Sequence, residues 1–455
     1  MSKDAKKSKT KARKNVSMPL VNPNAAGIDI GDMIHLVAVP EGRDEVSVRE
    51  FGAFTTDLQA IVTWLKECEV DTVAMESTGI YWKNLFSMLV QNGFEVYLVN
   101  AKHTRNITGK KDDESDAQWI QKLHSCGLLK SCFLPDDHIE ALRTLVRHRR
   151  SLTHDSTRYV LRMQKALELM NIKIHAVLND ITGKTGTAIV KAIIGGEREP
   201  KNFLPLVDGR VKASRDEILK SLQGNWRNEH LFLLKQCYNL YQHMQTQVEL
   251  CEQQIEQALQ LVAKSHQKNE PNPQPTSSVP SKKKKKTKNQ PRFDTSGYLK
   301  QIHNIDVTEI FGVSEIVALE ILAETGTDLS KWSNEKKFAS WLNLCPNNKI
   351  SGGKLISSSL LKKKPNAATQ AFRMAANALQ SSKNWLGDYF RRMRSKGGHK
   401  FAIVATARKL AIIYYKMVRF NQPFTPFDRD KYQARYRQAR IAYLERTLFK
   451  LKQAA

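Results

Sequence analysis

The sequence predicts an α/β domain at the N-terminus, then a helical middle region and a mainly helical C-terminal domain. Short strand-like and helix-like segments alternate over residues 25–125, which is typical of a sheet flanked by helices. From residue 136 onward, apolar residues recur at steps of three and four, which favours helices. The Lys- and Pro-rich stretch 265–294 has almost nothing to bury, so we expect a flexible linker there.

The strongest feature of the composition is its positive charge. The 455 residues include 72 Lys and Arg but only 45 Asp and Glu, which gives a formal net charge of +27. A surplus of this size favours phosphate backbones as binding partners. No apolar run is long enough to cross a bilayer, and the six cysteines form no C-x-x-C pair. We therefore expect a protein of the reducing cytosol that binds nucleic acid rather than a membrane.

After a basic arm at residues 1–20, the order of elements over residues 21–135 predicts a ribonuclease-H-like core. Three strands are expected first, at GIDIG, HLVAVP and VSVREFG. An amphipathic helix follows, with Leu58, Ile61 and Leu65 on one face. The order is completed by the strand VDTVAMES, a helix around Trp82 to Val90, the strand FEVYLV and a helix from about Asp113 to His124.

Four carboxylates fall at the ends of these elements, where a metal-binding nuclease of this type needs them. Asp29 ends the first strand, Glu76 ends a later strand, and Asp113 and Asp116 begin a helix. Separate segments that bring carboxylates together are typical of a site that holds two hard cations against a phosphodiester. The sequence therefore predicts a catalytic site for Mg²⁺ or Mn²⁺.

Two alternatives stay open for these acids. Asp112 precedes Asp113, so the third ligand is ambiguous, although Asp113 and Asp116 share one helical face at i, i+3. A single aspartate at a strand end is also a common turn residue, and acids in a first helical turn stabilise the helix dipole. Four acids in this element order favour the metal site over these structural roles.

The middle region, residues 136–264, carries a heptad seam near its C-terminal end. Such a seam packs either between two chains, as a coiled coil, or against a second long antiparallel helix of the same chain. The sequence is compatible with both arrangements. The apolar positions of the seam are Leu234, Cys237, Tyr241, Met244, Val248, Cys251, Ile255, Ala258 and Val262.

The C-terminal part divides into a helical domain at residues 295–425 and a basic helical tail at residues 426–455. The segment GVSEIVALEILAETG has a glycine turn followed by a helix. This is the pattern of a helix-hairpin-helix, which holds DNA phosphates through backbone amides. Many helical turns contain a glycine, so the pattern alone has modest specificity.

Over nearly its whole length, the chain resembles the DEDD transposases of bacterial insertion sequences, the bridge-RNA-guided recombinases. At the front the resemblance rests on GIDIG, on MESTG followed by IYW, and on the K-x-D-x-x-D-A pattern that starts at Lys111. In the middle it rests on LRTLVRHRRSLTHDSTR. At the back it rests on ETGTDLSKWSNEKKFASWLNLCPNNKISGGK and AFRMAANAL. The family implies a RuvC-like catalytic domain, a coiled-coil middle and a C-terminal transposase domain.

The resemblance also implies residue roles and partners. Asp29, Glu76, Asp113 and Asp116 match the metal-binding tetrad of the family, and Ser351 matches its nucleophilic serine. Family members cleave and rejoin donor and target double-stranded DNA, and a structured non-coding guide RNA selects the sites. We therefore expect a homo-oligomer, dimer or tetramer, in the bacterial cytoplasm at the nucleoid. The chain departs from many relatives at residue 32, an aspartate where they carry a lysine.

The residues around Ser351 are compatible with this role. Taken alone, they indicate only a Ser-Gly-Gly loop, whose glycines let DNA approach the backbone closely. Lys349 and Lys354 bracket the loop and would neutralise phosphate charge. Ser357, Ser358 and Ser359 are nearby alternatives.

Two other functions remain possible from the sequence. A RuvC-like endonuclease would use water as its nucleophile and resolve branched DNA. A non-catalytic architectural protein would bind nucleic acid without a metal. The intact set of four carboxylates argues against the second alternative.

Overall fold

The computed structural model describes residues 19–77, 79–100, 115–267, 289–361 and 366–454. The chain divides into two compact units, Met1–Leu134 and Pro135–Ala455. Asp112 and Asp113 lie outside the described residues, as do the N-terminal arm up to residue 18 and most of the expected linker.

The first unit contains a mixed five-stranded sheet in the order β3-β2-β1-β4-β5. The first three strands pair antiparallel, whereas β1 with β4 and β4 with β5 pair parallel. This confirms the predicted α/β class of the N-terminal region. The strands are β1 (Ala25–Ile30), β2 (Ile34–Ala38), β3 (Val48–Gly52), β4 (Thr72–Glu76) and β5 (Glu95–Val99).

Helices cover both faces of this sheet. On one face, α1 (Thr55–Glu67) and α2 (Trp82–Gln91) share the larger apolar core with residues such as Ile28 and Met75. On the other face, α3 (Asp116–Ser125) packs against Ala74 and Val99. Burial on both faces explains why β1 and β4 are nearly continuous apolar runs rather than alternating strands.

The second unit is mainly helical, as the sequence predicts, with one β-hairpin that the sequence analysis did not anticipate. Its helices are α4 (Asp137–Leu169), α5 (Ile174–Val177), α6 (Lys184–Ile194), α7 (Arg215–Ser221), α8 (Asn228–Gln267), α9 (Thr295–His303), α10 (Glu315–Thr325), α11 (Glu335–Trp341), α12 (Ala367–Ala378), α13 (Trp385–Phe420) and α14 (Arg429–Ala454). The hairpin is β6 (Asn347–Ser351) and β7 (Lys354–Ser359), and two 3-10 turns lie at Pro200–Leu206 and Val307–Glu309.

The two longest helices of the middle region, α4 and α8, pack antiparallel. Gln245 Nε2 donates to Ser156 Oγ at 2.7 Å, and Cys251 Sγ lies 3.5 Å from the carbonyl oxygen of Leu145. The start of the heptad seam shares one apolar core with the end of α4, through residues such as Leu234 and Leu167. The seam therefore packs within the chain, which is the second of the two arrangements open from the sequence.

Arginines of α4 join the middle region to the C-terminal region. Arg143 donates to the carbonyl oxygens of Ala323 and Glu324, at 3.1 and 2.9 Å. These carbonyls belong to the last turn of α10, where intrahelical donors are missing. Arg147 binds the Glu324 carboxylate through two hydrogen bonds of 2.7 and 2.8 Å. These arginines of the basic stretch LRTLVRHRR thus serve packing within the second unit. Among the described helices, none is long and apolar enough to cross a membrane.

Candidate active site

Asp29 and Glu76 occupy adjacent positions at one edge of the sheet. The parallel register of β1 and β4 pairs Ile28 with Met75, and the next residue on each strand is Asp29 and Glu76. Adjacent strands are about 5 Å apart, so the two carboxylates project side by side from the same face. Glu76 is only 9% exposed and Asp29 is half-buried. Like charges at this spacing repel, which favours a cation between them.

α3 covers this same face and runs towards that edge. A Cβ added to Gly27 would lie 2.4 Å from the carbonyl oxygen of Ala117 and 2.3 Å from the backbone nitrogen of Gln121. Glycine is therefore required at residue 27 for the close approach of helix and strand. Farther from the edge, Thr72 Oγ1 lies 2.9 Å from His124 Nε2. Residue numbers along α3 therefore fall as residue numbers along the strands rise. The N-terminus of α3 points to the edge of the sheet that carries Asp29 and Glu76.

The spacing of these contacts brings Asp116 to the level of Glu76. Ala74, two residues after Thr72, shares a buried cluster with Ile120, four residues before His124. Two strand residues rise about 6.7 Å and four helical residues rise about 6.0 Å, so the two elements keep step. The next positions in this sequence are Glu76 on the strand and Asp116 on the helix.

Asp116 is exposed in the first turn of α3, which has a well-formed N-terminus. Ser115 Oγ accepts from the backbone N–H of Gln118 at 3.2 Å, and the Gln118 side chain accepts from the backbone N–H of Ser115 at 3.0 Å. This reciprocal capping box fixes where the helix begins. The helix predicted from about Asp113 therefore begins at Asp116, so the shared helical face that favoured Asp113 over Asp112 is wrong.

The structure brings two of the four predicted ligands together and sets a third at the same edge. Within the described ranges, no group of three or more His, Cys, Asp or Glu side chains is arranged to hold a metal ion. The fourth predicted ligand, Asp113, and its alternative, Asp112, lie outside those ranges. Asp32 is exposed in the turn between β1 and β2, where its Oδ1 accepts from the backbone N–H of Met33 at 3.0 Å.

His35 is a buried polar neighbour of this edge that the sequence analysis missed. It is 2% exposed, and its Nδ1 has no hydrogen-bond partner in the described part of the chain. Burial lowers the pKa of His35, while the backbone of Ile34 and the charge of Asp29 oppose that shift. His35 pairs with Ile30, so it shares the face covered by α1 and α2 rather than the face of Asp29. A single histidine in a strand carries no pattern that would have indicated this position.

Ser351 lies in the second unit, at the tip of the β6–β7 hairpin. It pairs with Lys354 across the hairpin, and Gly352 and Gly353 form the turn with φ of +53° and +76°. Positive φ at both turn residues matches the type I′ conformation, which glycine adopts readily. All of β6 is exposed. The sequence contained a signal for this hairpin, namely two glycines between strand-like runs. The prediction of a Ser-Gly-Gly loop did not use that signal.

The nearby serines lie at the other end of the hairpin. Ser357 and Ser359 pair with Lys349 and Asn347. Ser358 Oγ donates to Asn348 Oδ1 at 2.7 Å. A register shift between Lys349 and Ile350 interrupts the regular pairing of the two strands. Ser351 is therefore the serine nearest the exposed turn.

The segment GVSEIVALEILAETG, whose glycine turn and helix suggested a helix-hairpin-helix, forms the turn at Gly312 and α10. Gly312 before α10 has φ +86°, and a Cβ there would lie 2.6 Å from the carbonyl oxygen of Ala375 on α12. This glycine is therefore required by packing within the unit. The binding of DNA phosphates by the backbone amides of this segment stays a prediction.

Basic charge together with adjacent carboxylates at a sheet edge is typical of metal-dependent enzymes that act on nucleic acid. Comparison with protein families places the chain among the transposases. The model of the IS110 DEDD transposase domain, described as "Transposase", matches residues 26–172. A second model, described as "Transposase IS116/IS110/IS902 family", matches residues 306–391.

The chain belongs to the IS110 family of transposases. This confirms the resemblance drawn from its sequence motifs. It also makes the chain a DNA-processing enzyme. A search of curated proteins gave no match.

Proposed function

We propose that this transposase cleaves and rejoins donor and target DNA with a carboxylate metal site and a serine nucleophile. The observation that carries the proposal is the adjacency of Asp29 and Glu76 at the edge to which the N-terminus of α3 points. The three initial strands, followed by alternating helices and strands, support the ribonuclease-H-like fold expected for such a site.

Mg²⁺ is the proposed cofactor, with Mn²⁺ as its substitute. Asp29, Glu76, Asp113 and Asp116 are the proposed ligands, and their carboxylate oxygens are the donors that Mg²⁺ takes in proteins. The adjacent pair fits a cation because a bound charge would relieve their repulsion. The bound ion would supply Lewis-acid activation of the scissile phosphodiester. Asp116 is exposed, so an incoming DNA strand would be able to reach it.

Ser351 is the proposed nucleophile. Its Oγ would form a bond to phosphorus while the bond from phosphorus to a deoxyribose oxygen breaks. The serine proton leaves to a base or solvent, and the departing oxygen takes up a proton. The phosphoserine link conserves the phosphodiester bond energy, so rejoining to a second strand needs no ATP. The exposed tip admits DNA, and Lys354 opposite Ser351 adds positive charge beside the phosphate.

A structured guide RNA and a homo-oligomeric assembly complete the proposal. The net charge of +27 supports binding of more than one nucleic acid backbone. Ser351 and the carboxylates belong to different units of the chain. Their joint action would need a composite site, formed within one chain or across protomers.

The direct test is a search for a covalent protein–DNA adduct. The protein is incubated with Mg²⁺, a plasmid that carries the whole element with its flanks, and any RNA encoded by the element. The products are separated on a denaturing gel. We expect an adduct with the wild-type protein and none with Ser351→Ala or Asp29→Asn.

Matched variants separate chemistry from general damage. Ser359→Ala removes an exposed serine from the same hairpin, and Asp32→Asn removes an exposed acid from the turn next to Asp29. Both should retain the adduct. Nicked DNA without an adduct that persists in Ser351→Ala would instead make the protein a water-using nuclease.

A further inference from the structure

A cavity of about 380 Å³ opens between α13 and the start of α14. Its volume is within the range of small-ligand pockets. Hydrogen bonds to Asp388 on α13 hold the two helices together here. Arg429 Nε donates to Asp388 Oδ2 at 2.8 Å, and Gln433 Nε2 donates to the same oxygen at 2.9 Å. The cavity is therefore built by tertiary contacts within the second unit.

Aromatic side chains form much of the cavity wall. Trp385 has ring centroids 5.9 Å from Tyr432 and 6.3 Å from Phe427, and those two rings lie 6.3 Å from each other. Tyr436 lines the cavity one helical turn after Tyr432 and remains 43% exposed. Trp385 is only 8% exposed, so the wall runs from a buried floor to an open rim. Such a wall suits a flat, partly apolar ligand.

Three side chains that line the cavity have hydrogen-bond donors without partners. The indole nitrogen of Trp385, the hydroxyl of Tyr432 and Nε of Arg392 are buried and find no acceptor within the described ranges. Buried donors in folded proteins are nearly always paired. These donor atoms have almost no accessible surface, so a ligand in the open cavity would be held by the aromatic wall and the basic lining instead.

The charge of the cavity selects the kind of ligand. Arg392 lies over the rings of Tyr436 and Tyr432 at 4.7 and 5.4 Å, and Lys409 Nζ lies 5.9 Å from the Trp385 ring. Together with Arg435 they form the basic part of the lining. None of the three forms a salt bridge in the described part of the chain. Aromatic walls alone would also suit a quaternary ammonium ion. Three basic groups repel a cation and favour an anion.

Two further observations support an anionic ligand. Asp388, the carboxylate beside the cavity, is already bound by Arg429 and Arg391 and does not neutralise the lining. Burial lowers the pKa of Lys409, and the charge of Lys416 adds to this shift. An anion beside Lys409 would raise its pKa again.

We propose that this cavity binds one nucleotide of an unpaired strand. The base would stack between Tyr436 and the aromatic wall. The phosphate would contact Arg435 and Lys409. Base–aromatic stacking of this kind is how proteins hold single strands without sequence preference. Nucleotide binding by this cavity rests on the proposed function in one respect only, the origin of the unpaired strand, which would be guide RNA or opened DNA.

The test measures binding of short single strands by fluorescence anisotropy, with EDTA present and no element DNA. The probes are oligothymidylate, oligouridylate and a fully abasic strand of the same length. Tyr436→Ala should weaken binding of at least one base-bearing strand by about tenfold and leave the abasic strand unaffected. Tyr443→Ala, the same change at an exposed position farther along α14, should change affinity less than about twofold.

A second pair of variants tests the phosphate contact. Arg435→Gln should weaken all three strands, and more than Arg437→Gln, which removes an equal charge from the same helix outside the cavity. If Arg435→Gln loses more affinity for oligouridylate than for oligothymidylate, the bound strand is RNA. A larger loss of affinity for oligothymidylate would identify the bound strand as DNA.

Two results would overturn the proposal: equal affinity of the wild-type protein for abasic and base-bearing strands, or equal losses in Tyr436→Ala and Tyr443→Ala. Because the assay needs neither Mg²⁺ nor Ser351, its outcome is separate from that of the adduct experiment. Failure of the serine chemistry would leave the nucleotide binding measurable.

Discussion

The two units of the chain place buried carboxylates in opposite settings. In the second unit, Glu252 meets Arg149 through hydrogen bonds of 2.9 and 2.7 Å, and both side chains are about 6% exposed. In the first unit, the parallel register sets Glu76 beside a second acid, Asp29. A buried acid that is matched by arginine holds helices together. Two acids that strand register sets side by side are typical of a metal site.

The largest expected effect is the loss of DNA cleavage when one acid of the Asp29–Glu76 pair is neutralised. Asp29→Asn should lower DNA cleavage by at least about a thousandfold, because one metal ligand loses its charge. The free energy of unfolding without Mg²⁺ should stay within about 1 kcal/mol of wild type, since an amide beside Glu76 lessens repulsion. Cleavage assays and urea unfolding measure the two quantities. A variant that is strongly destabilised would make Asp29 a structural residue.

Glu252→Gln should lower the free energy of unfolding much more than Asp29→Asn does. It leaves Arg149 buried without its counter-charge and weakens the contact of Glu252 with the backbone N–H of Arg292. We expect a loss of about 3–5 kcal/mol in the free energy of unfolding. Asp155→Asn is the matched control, because its pair with Arg158 is exposed and worth less than about 1 kcal/mol. Similar losses in both variants would contradict the distinction between buried and exposed pairs.

Gly27→Ala tests the close approach of α3 to the sheet. The added Cβ overlaps the backbone at Ala117 and Gln121, so α3 must shift away. Overpacking of this kind should cost about 3 kcal/mol and move Asp116 from the level of Glu76, which would also lower cleavage. Gly209→Ala, where nothing lies within 4 Å of the new Cβ, should be nearly neutral. Thermal unfolding and the cleavage assay give the two readouts.

His124→Gln tests the polar contact beneath α3 through its pH dependence. Burial lowers the pKa of His124 from 6.5 to about 4, although the charge of Glu95 opposes the shift. Between these values the unfolded chain binds more protons than the folded chain, so stability falls as pH falls below 6.5. The wild type should lose about 2 kcal/mol from this group between pH 7 and pH 5. The variant keeps a partner for Thr72 and should lack that loss, as urea unfolding at both pH values would show.

Local patterns in the sequence determined much of the first unit. The strand-like runs and the amphipathic helix before Glu76 were readable, because apolar spacing acts over a few positions. The helix that carries Asp116 was also predicted, although it begins three residues later than expected. These patterns also identified Asp29, Glu76 and Asp116 as residues at element ends. The hairpin at Ser351 was missed because its strands are exposed and lack a buried, alternating face.

Only tertiary structure decided which of these residues meet. Strand register sets Asp29 beside Glu76, the packing of Gly27 under α3 brings Asp116 to the same edge, and α4 serves as the partner of the heptad seam. The cavity between α13 and α14 joins Trp385 to Tyr432, which lie far apart in sequence. Such pairings depend on long-range packing energies, whereas sequence patterns record only which face of each element is apolar.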